Sequence, residues 1–170
     1  MKRIGLISDT HSYIDDRILH HLKDVDEIWH AGDIGTPAVS DTLAAMKPYR
    51  AVFGNIDGQE LRRMHPIETT VILEGVSIWM THIGGRPPKY AKGIRNELIR
   101  RKPNVFICGH SHILKVQKDH SLDCWYINPG AAGIHGFHKI RTLLRFSLDE
   151  GQIKDMEVVE LGIRGSATDH

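Results

Sequence analysis

Short runs of apolar residues recur along the chain, each closed by small or polar residues. They fall at Arg3–Ser8, Glu27–His30, Ala51–Phe53, Ser77–Thr81, Val105–Cys108 and Trp125–Ile127. Several are too uniformly apolar to show a two-residue alternation, so they predict strands buried on both faces. Between the early runs the pattern predicts helices. Asp15–Leu22 and Pro37–Met46 are short, with Pro37 suited to a first helical turn and Thr36 to the N-cap. Pro88–Arg101 predicts a longer helix, stopped by Pro103.

The second half reads differently. Glu74-Gly75 lies between Thr69–Leu73 and Val76–Met80, a hairpin pattern. Asp149-Glu150-Gly151 lies between Thr142–Leu148 and Gln152–Val159, a second one. A chain that begins βαβαβ and ends in antiparallel strands predicts two packed sheets with helices outside, an α/β sandwich.

Composition narrows the function. The 170 residues suit one domain, and no repeat, linker or low-complexity tract divides them. Lys and Arg number 22 against 21 Asp and Glu, a net charge of +1. That balance offers nothing to nucleic acid or to an anionic membrane. The basic residues Lys89, Lys92, Arg95, Arg100, Arg101 and Lys102 read as a solvated helix face. No apolar run is long enough to span a bilayer, and the first one ends at Asp9, too early for a signal peptide. Cys108 and Cys124 sit in apolar runs without metal-site spacing, which predicts buried free thiols in a reducing compartment. A cytoplasmic location is the expectation.

Chemistry enters at the strand ends. After the first strand comes Asp9-Thr10-His11, after the second Gly32-Asp33, after the third Gly54-Asn55. His82 then comes after Thr81, and Gly109-His110-Ser111-His112 after Cys108. Each cluster is one strand plus one return connection from the next. Parallel strands would line these ends along one sheet edge, where open α/β sheets bind ligands. Asp9, His11, Asp33, Asn55, His82, His110 and His112 would then converge. Gly32, Gly54 and Gly109 each precede a ligand, where backbone must turn sharply and pass close to an ion. Seven ligands exceed one tetrahedral zinc. They suit two ions about 3.5–4 Å apart, bridged by a carboxylate. Any one fragment is common; the ordered set is not.

With Asp9-Thr10-His11, Gly32-Asp33, Gly54-Asn55-Ile56-Asp57, Thr81-His82 and Gly109-His110-Ser111-His112 in view, the sequence resembles the calcineurin-like metallophosphoesterase superfamily. It looks most like the small bacterial and archaeal phosphodiesterases, from Lys2 through Asn128-Pro129-Gly130. The resemblance implies a four-layer α/β/β/α sandwich of two mixed sheets with a dinuclear metal site at strand C-terminal ends. It implies two divalent transition-metal ions, with manganese favoured and nickel, iron, cobalt or zinc as alternatives. Asp9, His11, Asp33 and His112 would hold one ion. Asp33, Asn55, His82 and His110 would hold the other, with Asp33 as the bridge. Asp33, Asn55 and His82 would be the catalytic set.

One departure stands out. Larger members carry histidine after Gly-Asn, where it assists the leaving group or binds phosphate; here the residue is Ile56, and Asp57 has no such histidine to steady. A second is Ala131 after Asn128-Pro129-Gly130, where small relatives commonly have serine. Two divalent ions against Asp9 and Asp33 leave about +2, a sink for phosphate. A metal-bridging hydroxide would attack phosphorus in line with the leaving oxygen. No serine or thiol nucleophile signature appears.

The expected function is thus a metal-dependent phosphoesterase, a phosphodiesterase before a phosphomonoesterase, acting on a small phosphate ester. The alternative is a non-enzymatic, metal-holding scaffold or protein-interaction module of the same fold, like the retromer subunit of similar fold and size. A nuclease is disfavoured by the neutral charge. A homodimer or small homo-oligomer is expected from the resemblance and from the commonness of symmetric assemblies. Among the remaining residues, His30 reads as either a support for a ligand or a packed strand histidine. Arg86 and Lys89 read as loop residues within conceivable reach of phosphate, and His135 and His138 as borders of the site. His20, His21, His65, His120 and His170 read as surface.

Overall fold

A computed structural model describes residues 1–167, so His170 lies outside the described residues. The chain opens with β1 (Lys2–Ile7), α1 (Asp16–Leu22), β2 (Glu27–His30), α2 (Pro37–Met46) and β3 (Tyr49–Ala51). Asp15 caps α1 by accepting the Ile18 N–H at 3.0 Å, which satisfies a first-turn donor that has no partner within the helix. Thr36 occupies the N-cap of α2, yet its side chain makes no capping bond; Pro37, with its pre-set φ, starts that helix.

Next come α3 (Gln59–Met64), β4 (Glu68–Leu73) and β5 (Val76–Thr81). The last two form the expected hairpin. The predicted helix at Pro88–Arg101 is shorter in the structure. Residues 85–90 instead form a two-stranded ribbon, β6 (Gly85–Arg86) and β7 (Lys89–Tyr90), and α4 covers only Ile94–Arg101. Successive prolines Pro87 and Pro88 steer the preceding residues out of helical space. Gly93, at φ 83°, turns the chain into the helix. Exposed Arg100 pairs with Glu97 at 2.7 Å, as on a solvated helix face, but Arg101 is half-buried over the Trp79 ring and Lys89 and Lys92 lie before the helix.

The chain continues with β8 (Val105–Ile107), β9 (Lys115–Asp119), β10 (Cys124–Asn128), β11 (Ile140–Asp149), β12 (Gln152–Ile163) and α5 (Arg164–Ala167). One sheet has the order β12-β11-β1-β2-β3 and the other β4-β5-β8-β10-β9. Both are mixed. β1, β2 and β3 run parallel, as do β5, β8 and β10, with antiparallel strands outside them. Two strand neighbours, β9 and the ribbon, lack an apolar pattern strong enough to predict.

Alternation appears once both faces are seen. Ile4 and Leu6 of β1 meet Ile78 and Met80 of β5, Ile107 of β8 and Phe146 of β11 in a core between the sheets. Ile7 and Ile28 point the other way, against Ile18 and Leu22 of α1 and Val39 and Leu43 of α2. On the far side Trp79, Phe106 and Tyr126 pack against Leu98 of α4. The result is helix, sheet, sheet, helix, the expected four layers. Each fully buried aliphatic or aromatic side chain contributes about 1.5–3 kcal/mol, so both faces of every central strand are needed. Cys108 and Cys124 are buried free thiols, and burial pushes both thiols up to about 12. No helix among the described residues is long and apolar enough to cross a membrane.

Candidate metal centre

The seven predicted ligands come from two sheets, not one edge. Asp9, His11, Asp33 and Asn55 come after β1, β2 and β3; His82, His110 and His112 come after β5 and β8. The sheets face each other, so their parallel strands end side by side. Backbone bonds zip the loops together. Asp9 N–H donates to Gly32 O at 3.0 Å, His11 N–H to Asp33 O at 3.0 Å, and Gly109 N–H to His82 O at 2.9 Å. Asp9, His11, Asp33, His110 and His112 all adopt φ between 45° and 71°, the left-handed region that L-residues enter at a cost. Five strained ligands in one place mark a site that the surrounding packing holds in shape. A Cβ on Gly54 would overlap the Asp33 carboxylate, and one on Gly32, at φ 103°, would strike the His82 ring.

The ligand atoms form two groups, Asp9, His11 and His112, and Asp33, His82 and His110, and within each group they lie within 4.8 Å of one another. Asp33 Oδ2 sits between them, 3.4 Å from His11 Nε2 and 3.3 Å from His82 Nε2. His112 Nε2 is 3.2 Å from Asp9 Oδ1. Asn55 Oδ1 is 3.0 Å from His110 Nδ1. Asp9 is fully buried; its Oδ2 accepts from Ser8 Oγ and His110 N–H, which leaves Oδ1 for the centre. His82 Nδ1 lies 2.7 Å from Ala31 O, an acceptor, so the neutral ring turns the Nε2 lone pair inward.

Asp9 Oδ1, His11 Nε2 and His82 Nε2 are buried with no hydrogen-bond partner. Leaving a polar atom so costs about 1–3 kcal/mol each. Three such atoms facing one another are the donor set of a cation, and mixed imidazole and carboxylate ligands suit a divalent transition ion. The residues fit a pair of metals. Electrostatics agrees. Burial pushes the Asp33 carboxyl up, but the His82 imidazole, the Ile56 N–H and His11 outweigh it and hold the group below its ordinary value. Burial lowers His82, yet Asp33 and Asp9 beside it raise it overall. Burial keeps His11 low against the pull of the same two carboxylates.

Supports for this geometry are less visible in sequence. His30 is fully buried. Its Nδ1 accepts the Gly32 N–H at 3.1 Å, so Nε2 carries the proton and donates to Thr10 Oγ1 at 3.0 Å. Thr10 passes the chain on to Ile34 O at 2.9 Å. Burial drives the His30 pKa down to about 3, so it stays neutral and splints the Asp9 loop to the Asp33 loop. Asp57 has a partner set after all. It is buried and accepts the N–H groups of Ile34, Gly35 and Gly54 at 3.1, 2.8 and 2.8 Å, fastening the Asp33 loop to the Asn55 loop. Arg62 of α3 grips the Asp57 carbonyl at 2.7 Å. Buried Asn128 donates to Gly109 O and Ser111 Oγ and so steadies the His110–His112 turn. Ala131 is buried, and its carbonyl accepts the Thr142 N–H at 3.0 Å.

A cavity of about 550 Å³ opens over the centre, lined in part by His11, Asp33, Asn55, His110 and His112. His135 and His138 border it, as expected; the His135 ring stacks on His11 at 4.6 Å. Arg86 and Lys89 stand outside its wall. His20 and His120 are exposed as expected, but His21 and His65 are half-buried, His65 against Ser40 Oγ at 2.9 Å.

A family model described as the calcineurin-like phosphoesterase superfamily domain matches residues 1–151. A protein of Methanothermobacter thermautotrophicus named "Probable metallophosphoesterase" is 29% identical over 94% of this chain and 92% of its own. Zinc-bound Vps29, vacuolar protein sorting 29, from Entamoeba histolytica superposes with TM-score 0.71 at 15% identity, covering 94% of this chain and 99% of its own. A structure described as a novel archaeal phosphodiesterase superposes with TM-score 0.73 at 19% identity, covering 93% and 99%. At such identities these two structures share the fold.

Proposed function

Since the chain belongs to the calcineurin-like phosphoesterase superfamily, we propose that it hydrolyses phosphate esters, diesters in preference to monoesters, with two divalent ions held by Asp9, His11, Asp33, Asn55, His82, His110 and His112. The observation that carries this is the trio of buried, partnerless ligand atoms around Asp33 Oδ2. Bound ions would activate water and neutralise phosphate charge. Asp33 would bridge and keep its carboxylate ionised. His82 would present Nε2 while Ala31 O fixes its ring. Asn55 would hold the same ion as His110, whose Nδ1 lies 3.0 Å from its Oδ1. Ile56 offers no proton, so the chain itself supplies no acid at that position. Manganese is the proposed native ion. The sequence relative named "Probable metallophosphoesterase" supports the phosphoester part of this reading.

A second reading is a metal-holding interaction module. The solved structures favour it over hydrolysis, because Vps29 recurs among them and its name describes sorting, not catalysis. Both readings require the metals. A phosphoesterase screen of metal-stripped protein refilled with Mn, Ni, Co, Zn or Mg separates them. Metal-dependent hydrolysis supports the enzyme. Two ions bound per chain without turnover of any mono- or diester supports the module.

A further inference from the structure

The cavity over the metal ligands has an apolar side that the proposed chemistry does not use. Phe137 is 101% exposed, Ile113 50% and Ile56 47%, and all three line it. No ring among the described residues packs on Phe137. Its exposure does not come from a free loop. His138 Nε2 donates to Gly133 O at 2.8 Å, and Arg164 Nε holds the His138 carbonyl at 2.7 Å. Gly136, at φ 127°, presses against the His112 ring, where a Cβ would clash. The backbone on either side of Phe137 is therefore anchored, and its ring stands in water. Three exposed apolar side chains gathered on one wall of a cavity form the kind of surface that meets a ligand.

Charge narrows the ligand. No Lys or Arg lines the cavity. Two bound ions would leave about +2, less one for a hydroxide, and no cationic side chain stands by to balance a second negative charge, which favours singly charged diesters over monoesters and polyphosphates. We propose that Phe137, with Ile56 and Ile113 beside it, is a subsite for a flat aromatic ester group. The substrate class is then a singly charged phosphodiester with one aromatic substituent, such as an aryl or nucleoside ester. This rests on the phosphoester reading and adds the half of the substrate that the metal ligands do not touch.

Equilibrium binding tests it without turnover. Methyl(phenyl)phosphinate and dimethylphosphinate are both monoanions, have no ester to cleave, and differ only in the ring. Calorimetry on manganese-loaded protein should show the phenyl probe binding tighter, on the order of tenfold, from stacking on one ring. Phe137→Ala should bring the ratio near one, and Phe137→Trp should keep it; neither change touches the core. Equal affinity of both probes for the native protein, or a ratio unmoved by Phe137→Ala, overturns the subsite while leaving the phosphoester reading intact. That outcome would also be expected if the apolar rim seats a protein partner. Failure of both probes to bind overturns the two proposals together.

Discussion

Replacing Asp57 with alanine should unfasten the two loops that carry Asp33 and Asn55. The carboxylate is 2% exposed and accepts three backbone N–H groups, from Ile34, Gly35 and Gly54. Hydrogen bonds to a charged group contribute about 1.5–3 kcal/mol each, and neighbouring bonds are not additive. We therefore expect a loss of about 4 kcal/mol, a large share of the roughly 5–15 kcal/mol that holds a domain folded. Asp57→Asn keeps one oxygen but turns an amide N–H₂ toward a donor, and should lose about half as much. The assay is urea unfolding of metal-free protein, followed by the fluorescence of Trp29 and Trp79 in the core. Metal must be absent, because ions that bind the folded state would mask the loss. With a slope of about 2 kcal/mol per M, the Asp57→Ala midpoint should fall by roughly 2 M. A midpoint within about 0.3 M of the native one would refute the reasoning, since water would then have replaced the clamp.

The same geometry sets other outcomes. Asp33→Ala removes the oxygen between His11 and His82, so metal analysis should find fewer than two ions per chain and turnover should collapse; two retained ions with near-normal turnover would reject the bridge. His30 has a folded pKa of about 3 against an ordinary 6.5, so the unfolded chain takes up a proton that the folded one refuses. Its stabilisation is intact above pH 6.5 and shrinks as pH falls toward 3, by about 1.4 kcal/mol per pH unit. Thermal unfolding of metal-free protein between about pH 7 and 4.5 should therefore be less steep in His30→Gln; parallel curves would contradict this. With Ile56 where an acid could stand, turnover should depend steeply on leaving-group pKa. A general acid is typically worth about 10²–10⁴-fold, so Ile56→His should help alkyl esters most. A flat leaving-group plot with chemistry rate-limiting would show that another group supplies the proton.

Much of the site was legible because metal ligands must sit where a strand ends and a loop begins. The order of strand, small residue and ligand is a local pattern, and it survives without knowledge of the sheet. The strands themselves were legible from their continuous apolar runs. Element ends were less so. The pattern carried the helix back to Pro88, but Pro87-Pro88 and Gly93 delay it to Ile94. Charged, short elements such as α3 and β9 carry no period to read, and the bond between Asp57 and three distant N–H groups has no signature at all.

By itself the sequence determined the layered α/β class, the buried strands, the free thiols and the seven candidate ligands, since each depends on residue type and near neighbours. Only the tertiary structure decided that those ligands divide between two facing sheets, that His30 and Asp57 splint the loops carrying them, and that Phe137 stands exposed beside them. Those features depend on contacts between residues far apart in the chain. A backbone N–H or a cavity wall acquires its partner only when the sheets pack, and no local spacing records which partner that will be.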